Sequence, residues 1–320
     1  MNQAVQKFSC AEDEIDLRAL FATLWQGKWL IIVITFLCAA AGVGYALYKP
    51  NVYTASAVVA PAQDSSGGMQ ISGQLSGLAS LAGVNLGSSD TNKTAIAKEV
   101  LQSRAFLTDF IHRHQLAVPI MATTGWSEKT KTWRYNTEVY NPHADKWLTN
   151  DEGESFEPTD WDLVKTFRRQ LNVSQNSENG MLILSITSYS PMAASNWVSW
   201  LIQDINEHMR AQDVQESQAR MDYLEKKLRE TSNADMQRVF YQLIEKETRI
   251  IMLANAQPEY IFRTIDPAVP PQDKSGPKRA LMAVLATLLG GMLGVFVVFV
   301  RAFIKRENGS ASDVALTQSN

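Results

Sequence analysis

Two uncharged apolar runs decide the fold of this chain: residues 29–48, WLIIVITFLCAAAGVGYALY, and residues 280–300, ALMAVLATLLGGMLGVFVVFV. Each is about 20 residues long, the length that a helix needs to cross the roughly 30 Å hydrocarbon layer of a bilayer. The sequence therefore predicts two transmembrane helices that contact membrane lipid. The polar segment between them, residues 49–279, must lie on one side of the membrane and carries the function.

The first run could be a cleaved signal peptide, but a retained helix fits it better. It starts late, it is longer than a typical signal-peptide core, and its small residues 39–41 lie inside the apolar stretch. Trp29 stands at one end and Tyr45 and Tyr48 at the other, where aromatic rings favour the membrane interfaces.

Basic residues near the runs predict the orientation. Arg18 and Lys28 precede the first run, whereas only Lys49 follows it before Lys93. The excess of Lys and Arg on the cytoplasmic side places the amino terminus inside, and two spans return the carboxyl terminus to the same side. Both cysteines, Cys10 and Cys38, fall outside the polar segment, so no disulfide is expected there. The net charge of -3 over 320 residues gives no sign of nucleic-acid binding.

The pattern of the chain predicts seven segments. These are a leader (1–28), a first transmembrane helix (29–48), an α/β portion with a Gly-rich loop and a Trp-bearing insertion (49–191), a long helical portion (192–257), a Pro-rich connector (258–279), a second transmembrane helix (280–300) and a tail (301–320). In the α/β portion, alternation predicts a strand over 51–62 that pairs with a second strand over 181–187. Helices are expected over 94–116, capped by Asn92 or Thr94, and over 162–171.

A long helix is predicted to start at Ser190 and Pro191 and to break near Asn233. Its apolar stripe is too long to bury on a small α/β layer, so we expect contacts with neighbouring subunits, and a helical hairpin within one chain is the alternative. The candidate contact residues are Leu224, Leu228, Phe240 and Leu243. The fold class is thus an α+β membrane protein, with an α/β layer near the membrane and a long protruding helix.

Several patterns that resemble binding sites have a plainer explanation. Four tryptophans and many acids within residues 122–161 invite a sugar-stacking or glycosidase interpretation, with Glu154 and Asp160 as acids. We expect instead that the aromatics pin this insertion onto the core, since each buries a large area. His112 and His114 point to different helix faces, which favours surface or interface histidines over a metal site. No catalytic, cofactor or metal residue is predicted.

For two further segments, the sequence suggests a contact surface. The Gly-rich segment 65–90 carries Leu75, Leu78, Leu81, Val84 and Leu86, which favours docking on its own domain over contact with a partner or lipid. Gly290 and Gly294 form a G-x-x-x-G pair that permits close helix packing, and residues 39–44 are the expected partner.

The motifs together resemble a known family. They are I-D-L (15–17), L-W-x-x-K-W (24–29), P-x-x-Y-x-A (50–55), I-D-P-A-x-x-P (265–271) and P-K-R-A-L (277–281). This order resembles the Wzz chain-length determinant family of polysaccharide co-polymerases, and the Pro-rich motif of Pro267, Pro270, Pro271 and Pro277 is its most specific part.

The resemblance implies a protein without chemistry of its own. It implies a homo-oligomeric ring in the bacterial inner membrane, with both termini cytoplasmic and the bulk periplasmic. The ring would act with a Wzy-type polymerase on undecaprenyl-linked glycan and set the chain length of the lipopolysaccharide O-antigen.

Two other function classes stay open. One is an adaptor for a separate tyrosine kinase in capsule or exopolysaccharide synthesis and export, and the other is a periplasmic glycan-active enzyme. The sequence contains no G-x-x-x-x-G-K-[ST] phosphate loop, so a kinase fused within it is not expected.

Overall fold

The structure, a computed structural model, describes residues 24–62 and 89–317, with the backbone alone for 89–92 and 302–317. Contacts divide the chain into two units, one built from the two ends of the chain and one from residues 50–276. The leucine series predicted to dock from the Gly-rich segment lies outside the described residues.

The first unit is a pair of antiparallel helices, α1 (Lys28–Tyr48) and α8 (Arg279–Thr317). Both have segments long and apolar enough to cross a membrane. Large apolar side chains such as Phe36 and Phe296 are exposed on their outer faces, as expected where lipid is the surrounding medium. The helix α8 continues past the apolar run, which ends at residue 300.

The second unit is organised by a four-stranded antiparallel sheet. Its strands are β1 (Tyr53–Pro61), β6 (Leu171–Gln175), β7 (Leu182–Ser188) and β8 (Phe262–Asp266), in the order β6-β7-β1-β8. The alternation along β1 buries Ala55, Ala57 and Val59 on one face, which confirms the predicted strand and its pairing with β7. Gly180, at φ 69°, makes the turn between β6 and β7.

Five helices belong to this layer or lead out of it. They are α2 (Ser89–Leu101), α3 (Arg104–Arg113), α4 (Ala117–Met121), α5 (Asp160–Gln170) and α6 (Pro191–Glu230). The prediction of one helix over 94–116 is wrong, because the helix is interrupted at residues 102–103. The Ser103 hydroxyl accepts the N–H of Phe106 and so starts a second helix, α3. The predicted caps Asn92 and Thr94 are also wrong, because α2 begins at Ser89.

The core lies between the sheet and these helices. Phe110 from α3, Phe167 from α5 and Leu201 from α6 are fully buried together with Leu184 and Ile186 of β7. Burial of large apolar side chains is the main stabilising contribution to such a layer. The α+β class predicted from the sequence, with two candidate membrane helices, is confirmed.

Two small hairpins form the Trp-bearing insertion. One pairs β2 (Thr123–Ser127) with β3 (Thr132–Tyr135), and the other pairs β4 (Tyr140–Asn141) with β5 (Lys146–Trp147).

The long helical portion is a hairpin of α6 and α7 (Ala234–Ala256). The Ser190 hydroxyl accepts the N–H of Ala193, and Pro191 occupies the first turn, as predicted. The helix ends at Glu230, and Asn233 accepts the N–H groups of Asp235 and Met236 to start α7, so the predicted break is confirmed. At 1.5 Å per residue α6 is about 60 Å long, and α7 about 35 Å.

Candidate functional site

Small residues bring the two membrane helices into close contact. A Cβ placed on Gly290 would lie 2.6 Å from Cys38 Cβ and 3.2 Å from Thr35 Cα, and one on Gly294 would lie 3.1 Å from Ile31 Cα. Carbon atoms in contact normally stay about 3.5–4.0 Å apart. The backbones approach closely at both glycines, and a side chain at either would force the helices apart.

The partner expected for these glycines is wrong. Gly290 and Gly294 face Ile31, Thr35 and Cys38 rather than residues 39–44, whereas Gly42 faces Ala286. The observed contacts lie about two turns closer to the start of α1 than the predicted ones. Along α1 they recur roughly every four residues, as they do along one ridge of a helix.

The hairpin of α6 and α7 has its own buried seam. Arg220 of α6 donates to Glu247 of α7 at 3.4 Å, and the Thr248 hydroxyl lies 3.8 Å from the sulfur of Met221. Glu247 is only 8% exposed, and Ser217 is buried in the same seam. Only the carboxylate of this pair is buried, since the Arg220 side chain is 54% exposed, so Arg220 reaches from the surface to neutralise Glu247 in the seam.

The four candidate contact residues are distributed over two surfaces. Leu224, Leu228 and Phe240 are half-buried. Leu224 and Leu228 lie three and seven residues after Met221, and Phe240 lies seven before Glu247, spacings that keep them on the sides where α6 and α7 meet. Leu243, four residues before Glu247, lies at the edge of this seam and is 40% exposed. With the exposed Met236 and Val239 it forms an apolar strip that α6 covers only in part, the open face of α7. The stripe read from the sequence is therefore shared between an internal seam and an open face.

A strand was missed inside the Pro-rich connector. Residues 262–266 form β8, which pairs antiparallel with the second half of β1, and Gly276 returns to bridge Val52 at its start. The segment 258–279 is therefore not an extended connector throughout, because residues 262–266 and Gly276 pair with the end and the start of the segment 52–61. Between these two pairings the chain forms a loop that contains the exposed Pro267 and Pro270 and the half-buried Pro271. Proline has no N–H to donate, and in this loop no hydrogen bond of the sheet is lost.

One buried side chain fixes that strand and was not singled out from the sequence. The Asn206 amide of α6 donates to the carbonyl oxygen of Phe262 at 3.0 Å, and its oxygen accepts the N–H groups of Ile261 at 2.8 Å and Phe262 at 2.9 Å. The available signal in the sequence was a polar residue on the apolar side of α6, four residues after Ile202 and three before Met209. Asn206 holds the start of β8 against α6.

The aromatics of the insertion pair mainly with one another. Trp126 and Trp133 make an edge-to-face contact at 5.2 Å, and Tyr140 meets Trp147 at 5.4 Å. The expectation that they pin the insertion to the core is wrong for these rings, and Trp161 is 61% exposed. Each hairpin is stabilised by its own cross-strand ring pair.

Two tyrosines of the second unit donate hydrogen bonds to carboxylates. The Tyr140 hydroxyl donates to Asp145, and this hydrogen bond, followed by burial, raises the pKa of Tyr140 to about 12. The Tyr53 hydroxyl of β1 donates to Glu128, and this hydrogen bond, followed by burial, raises the pKa of Tyr53. Both bonds keep a proton on the phenol. The first closes the hairpin of β4 and β5, and the second joins the insertion to β1.

The acids and histidines form no catalytic arrangement in the described ranges. Asp160 lies on the surface with its oxygen 2.7 Å from His112 Nε2, and Glu154 accepts from the Asn150 amide at 3.2 Å. No cluster of three or more His, Cys, Asp or Glu residues that could hold a metal occurs among residues 24–62 and 93–301.

His114 does not fit the surface description. Its ring stacks on Trp200 with centroids 4.6 Å apart, and its Nε2 lies 3.0 Å from an oxygen of the buried Asp204. It fastens the end of α3 to α6, so it is a structural residue.

Comparison with known proteins gives two family matches. Residues 13–114 match the family described as "Wzz: Chain length determinant protein". Residues 225–303 match the family described as "GNVR: G-rich domain on putative tyrosine kinase". No curated protein shows significant sequence similarity to the chain.

Two solved structures are similar over much of the chain. A full-length bacterial polysaccharide co-polymerase is 15% identical, covers 92% of this chain and 99% of its own, and has a TM-score of 0.38. A fragment of WzzB, a polysaccharide co-polymerase from Salmonella Typhimurium, is 10% identical, covers 71% and 100%, and has a TM-score of 0.30.

Proposed function

We propose that the chain regulates the length of a surface polysaccharide, because residues 13–114 match the chain length determinant family. It acts as a homo-oligomeric ring in the bacterial inner membrane. Its partner is a Wzy-type polymerase that extends undecaprenyl-linked glycan, and the product is the lipopolysaccharide O-antigen.

The family match carries this proposal, and the helix pair supports the membrane placement that it requires. The carboxyl end of α1 and the amino end of α8 lie together, since the Arg279 side chain donates to the carbonyl oxygen of Ala46 at 3.0 Å. If both helices span the membrane, the two ends of residues 50–276 emerge on the same side. Together with Arg18 and Lys28 before the first helix, this supports a periplasmic bulk and cytoplasmic termini.

The open face of α7 supports assembly. Met236, Val239 and Leu243 are 40–46% exposed and recur at three- and four-residue spacing along one side of a helix that meets water. An uncovered apolar stripe of this kind favours a partner surface. In the proposed ring, the partner is another copy of the chain, and Leu224, Leu228 and Phe240 act by shaping the hairpin that presents this face.

The role proposed is one of shape rather than catalysis. A glycosidase needs two carboxyl groups held across a bound sugar, with one of them kept protonated by its surroundings. Glu154 and Asp160 are both exposed. Glu154 lies in a loop and Asp160 begins α5, and the contacts of Glu154 are local to its turn.

The second match favours one alternative function. Residues 225–303, which include α7 and the Pro-rich connector, match a domain found on tyrosine kinases. This favours an adaptor that activates a separate kinase in capsule or exopolysaccharide export. The cytoplasmic end of α8 is where such a kinase would bind.

A deletion strain tests both functions. For the chain-length regulator, a gel of the surface polysaccharide should show a changed length distribution with synthesis intact, restored by the wild-type gene. For the adaptor, the deletion should abolish tyrosine phosphorylation of a partner kinase. An unchanged distribution in the deletion strain would refute the first function, and unchanged phosphotyrosine would refute the second.

A further inference from the structure

One arginine connects the two membrane helices at the end where residues 50–276 emerge. Arg279 is the first residue of α8, and its Nε donates to the carbonyl oxygen of Ala46 at 3.0 Å. Its Nη2 donates to the carbonyl oxygen of Lys49 at 3.4 Å. Both acceptors belong to the last turn of α1 and its cap, so one planar side chain reaches two carbonyl groups of another helix.

The last turn of α1 needs such a donor. The last four carbonyl groups of a helix have no partner within it, and in a membrane an unpaired carbonyl costs several kcal/mol. The N–H of Lys49 satisfies the carbonyl of Tyr45, and the carbonyl of Ala46 is the first of the three that remain, because residue 50 is a proline without an N–H. Ala46 is only 2% exposed, so water has little access to it. No basic residue lies in the last turn of α1 to complement its negative end.

The position of Arg279 in its own helix is unfavourable by itself. The amino terminus of a helix carries partial positive charge and prefers an acidic side chain, yet α8 has no acidic residue in its first turn. A cation at this position is explained when it serves the opposite helix, whose carboxyl end carries partial negative charge. A sequence that breaks a local rule commonly does so for a compensating contact.

We propose that Arg279 is a positioning residue that caps the carboxyl end of α1 from α8 and thereby locks the membrane helix pair at this end. Arginine suits the task because its fixed fork of donors serves two carbonyl groups at once, whereas lysine offers a single flexible ammonium. The proposal concerns the helix pair alone and holds for either function considered above.

Hydrogen exchange of the full chain in lipid nanodiscs tests this cap. In Arg279→Gln we expect the backbone amides of residues 47–49 to exchange at least about tenfold faster, because a hydrogen bond to a charged group is lost and the last turn frays. The amides of residues 33–37 should stay slow, which shows that the helix is still folded and inserted. The matched control is Lys278→Gln, which removes the neighbouring charge from an exposed side chain and should change exchange less than about twofold.

The conservative variant separates the fork from the charge. In Arg279→Lys, the backbone amides of residues 47–49 should exchange at a rate between those of the wild type and Arg279→Gln. Equal exchange at residues 47–49 in Arg279→Gln and Lys278→Gln would overturn the proposal. If Arg279→Gln failed to insert, the lysine variant would decide the matter, because wild-type exchange in that variant would overturn the two-carbonyl cap.

Discussion

Adding a single methyl group at Gly290 should separate the membrane helices. The new Cβ of Gly290→Ala would lie 2.6 Å from Cys38 Cβ, an atom that no side-chain rotation can move away. To restore an ordinary carbon contact, the helices must move apart by about 1 Å. Overpacking of this kind costs about 1–3 kcal/mol.

The neighbouring glycine provides the matched control. A Cβ on Gly291 meets only the Thr35 hydroxyl oxygen at 3.8 Å, which is an ordinary contact. Gly291→Ala should therefore be neutral or stabilising by up to about 1 kcal/mol, since alanine favours the helix more than glycine does. The two variants differ by one position in the same helix, so the difference in their free energies of unfolding, about 1–4 kcal/mol, isolates the clash.

The native thiol of Cys38 reports helix separation directly. In the full chain with Cys10→Ser, SDS is added to nonionic micelles, and the SDS fraction at which maleimide modifies Cys38 gives the midpoint of separation. Gly290→Ala should lower this midpoint and Gly291→Ala should not. Equal midpoints for the two variants would refute the reasoning that close packing at Gly290 holds the pair.

Three further results are expected from other parts of the molecule. Asn206→Leu should lower the free energy of unfolding of the full chain by about 3 kcal/mol in a urea titration, because it leaves buried backbone groups of the strand β8 unpaired. The raised pKa of Tyr140 favours the fold below pH 10, and this contribution is lost as the pH rises from 10.0 through about 12. Wild-type protein should therefore lose more stability over that range than Tyr140→Phe, and the ultraviolet absorbance of tyrosinate should show one fewer late-titrating group in the variant. Gly294→Leu should change the modal length of the polysaccharide on a gel, because the side chain collides with the backbone of Ile31.

Each of these results has a control in the chain. Gln203→Leu alters an exposed position of α6 and should leave the urea midpoint unchanged. Trp133→Phe alters the other hairpin of the insertion and should leave the late-titrating absorbance in place. Gly44→Leu meets nothing within 4 Å and should leave the modal length unchanged. Matching effects in a variant and its control would contradict the contact assigned to that variant.

Long periodic segments were predictable from the sequence. The apolar runs, the alternation of β1 and the hydroxyl cap before Pro191 are local patterns, and the structure follows each of them. The break before α7 was also visible, because Asn233 can accept the first N–H groups of a helix.

Features that depend on distant partners were not predictable. The strand β8 is five residues long, lies between prolines and forms only because β1 offers an edge two hundred residues earlier. His114 is held by Asp204, ninety positions away along the chain. The partner of Gly290 depends on the register of two helices, which spacing within one helix does not specify.

The distribution of contacts along the hairpin has the same origin. Whether Leu224 and Leu243 contact the same chain or another copy depends on how α7 folds back on α6. The stripe alone fits either arrangement, and the hairpin assigns the first residue to the seam and leaves the second on the open face.

The mass of the purified full chain in a mild detergent, measured by native mass spectrometry, tests the central claim most directly. A membrane-anchored scaffold of many copies predicts a single closed species at a multiple of the 35.7 kDa chain. Leu243→Glu on the open face should shift that species toward smaller masses, while the exposed Gln203→Leu variant should keep it. A strictly monomeric wild-type protein across the same detergents would contradict the account.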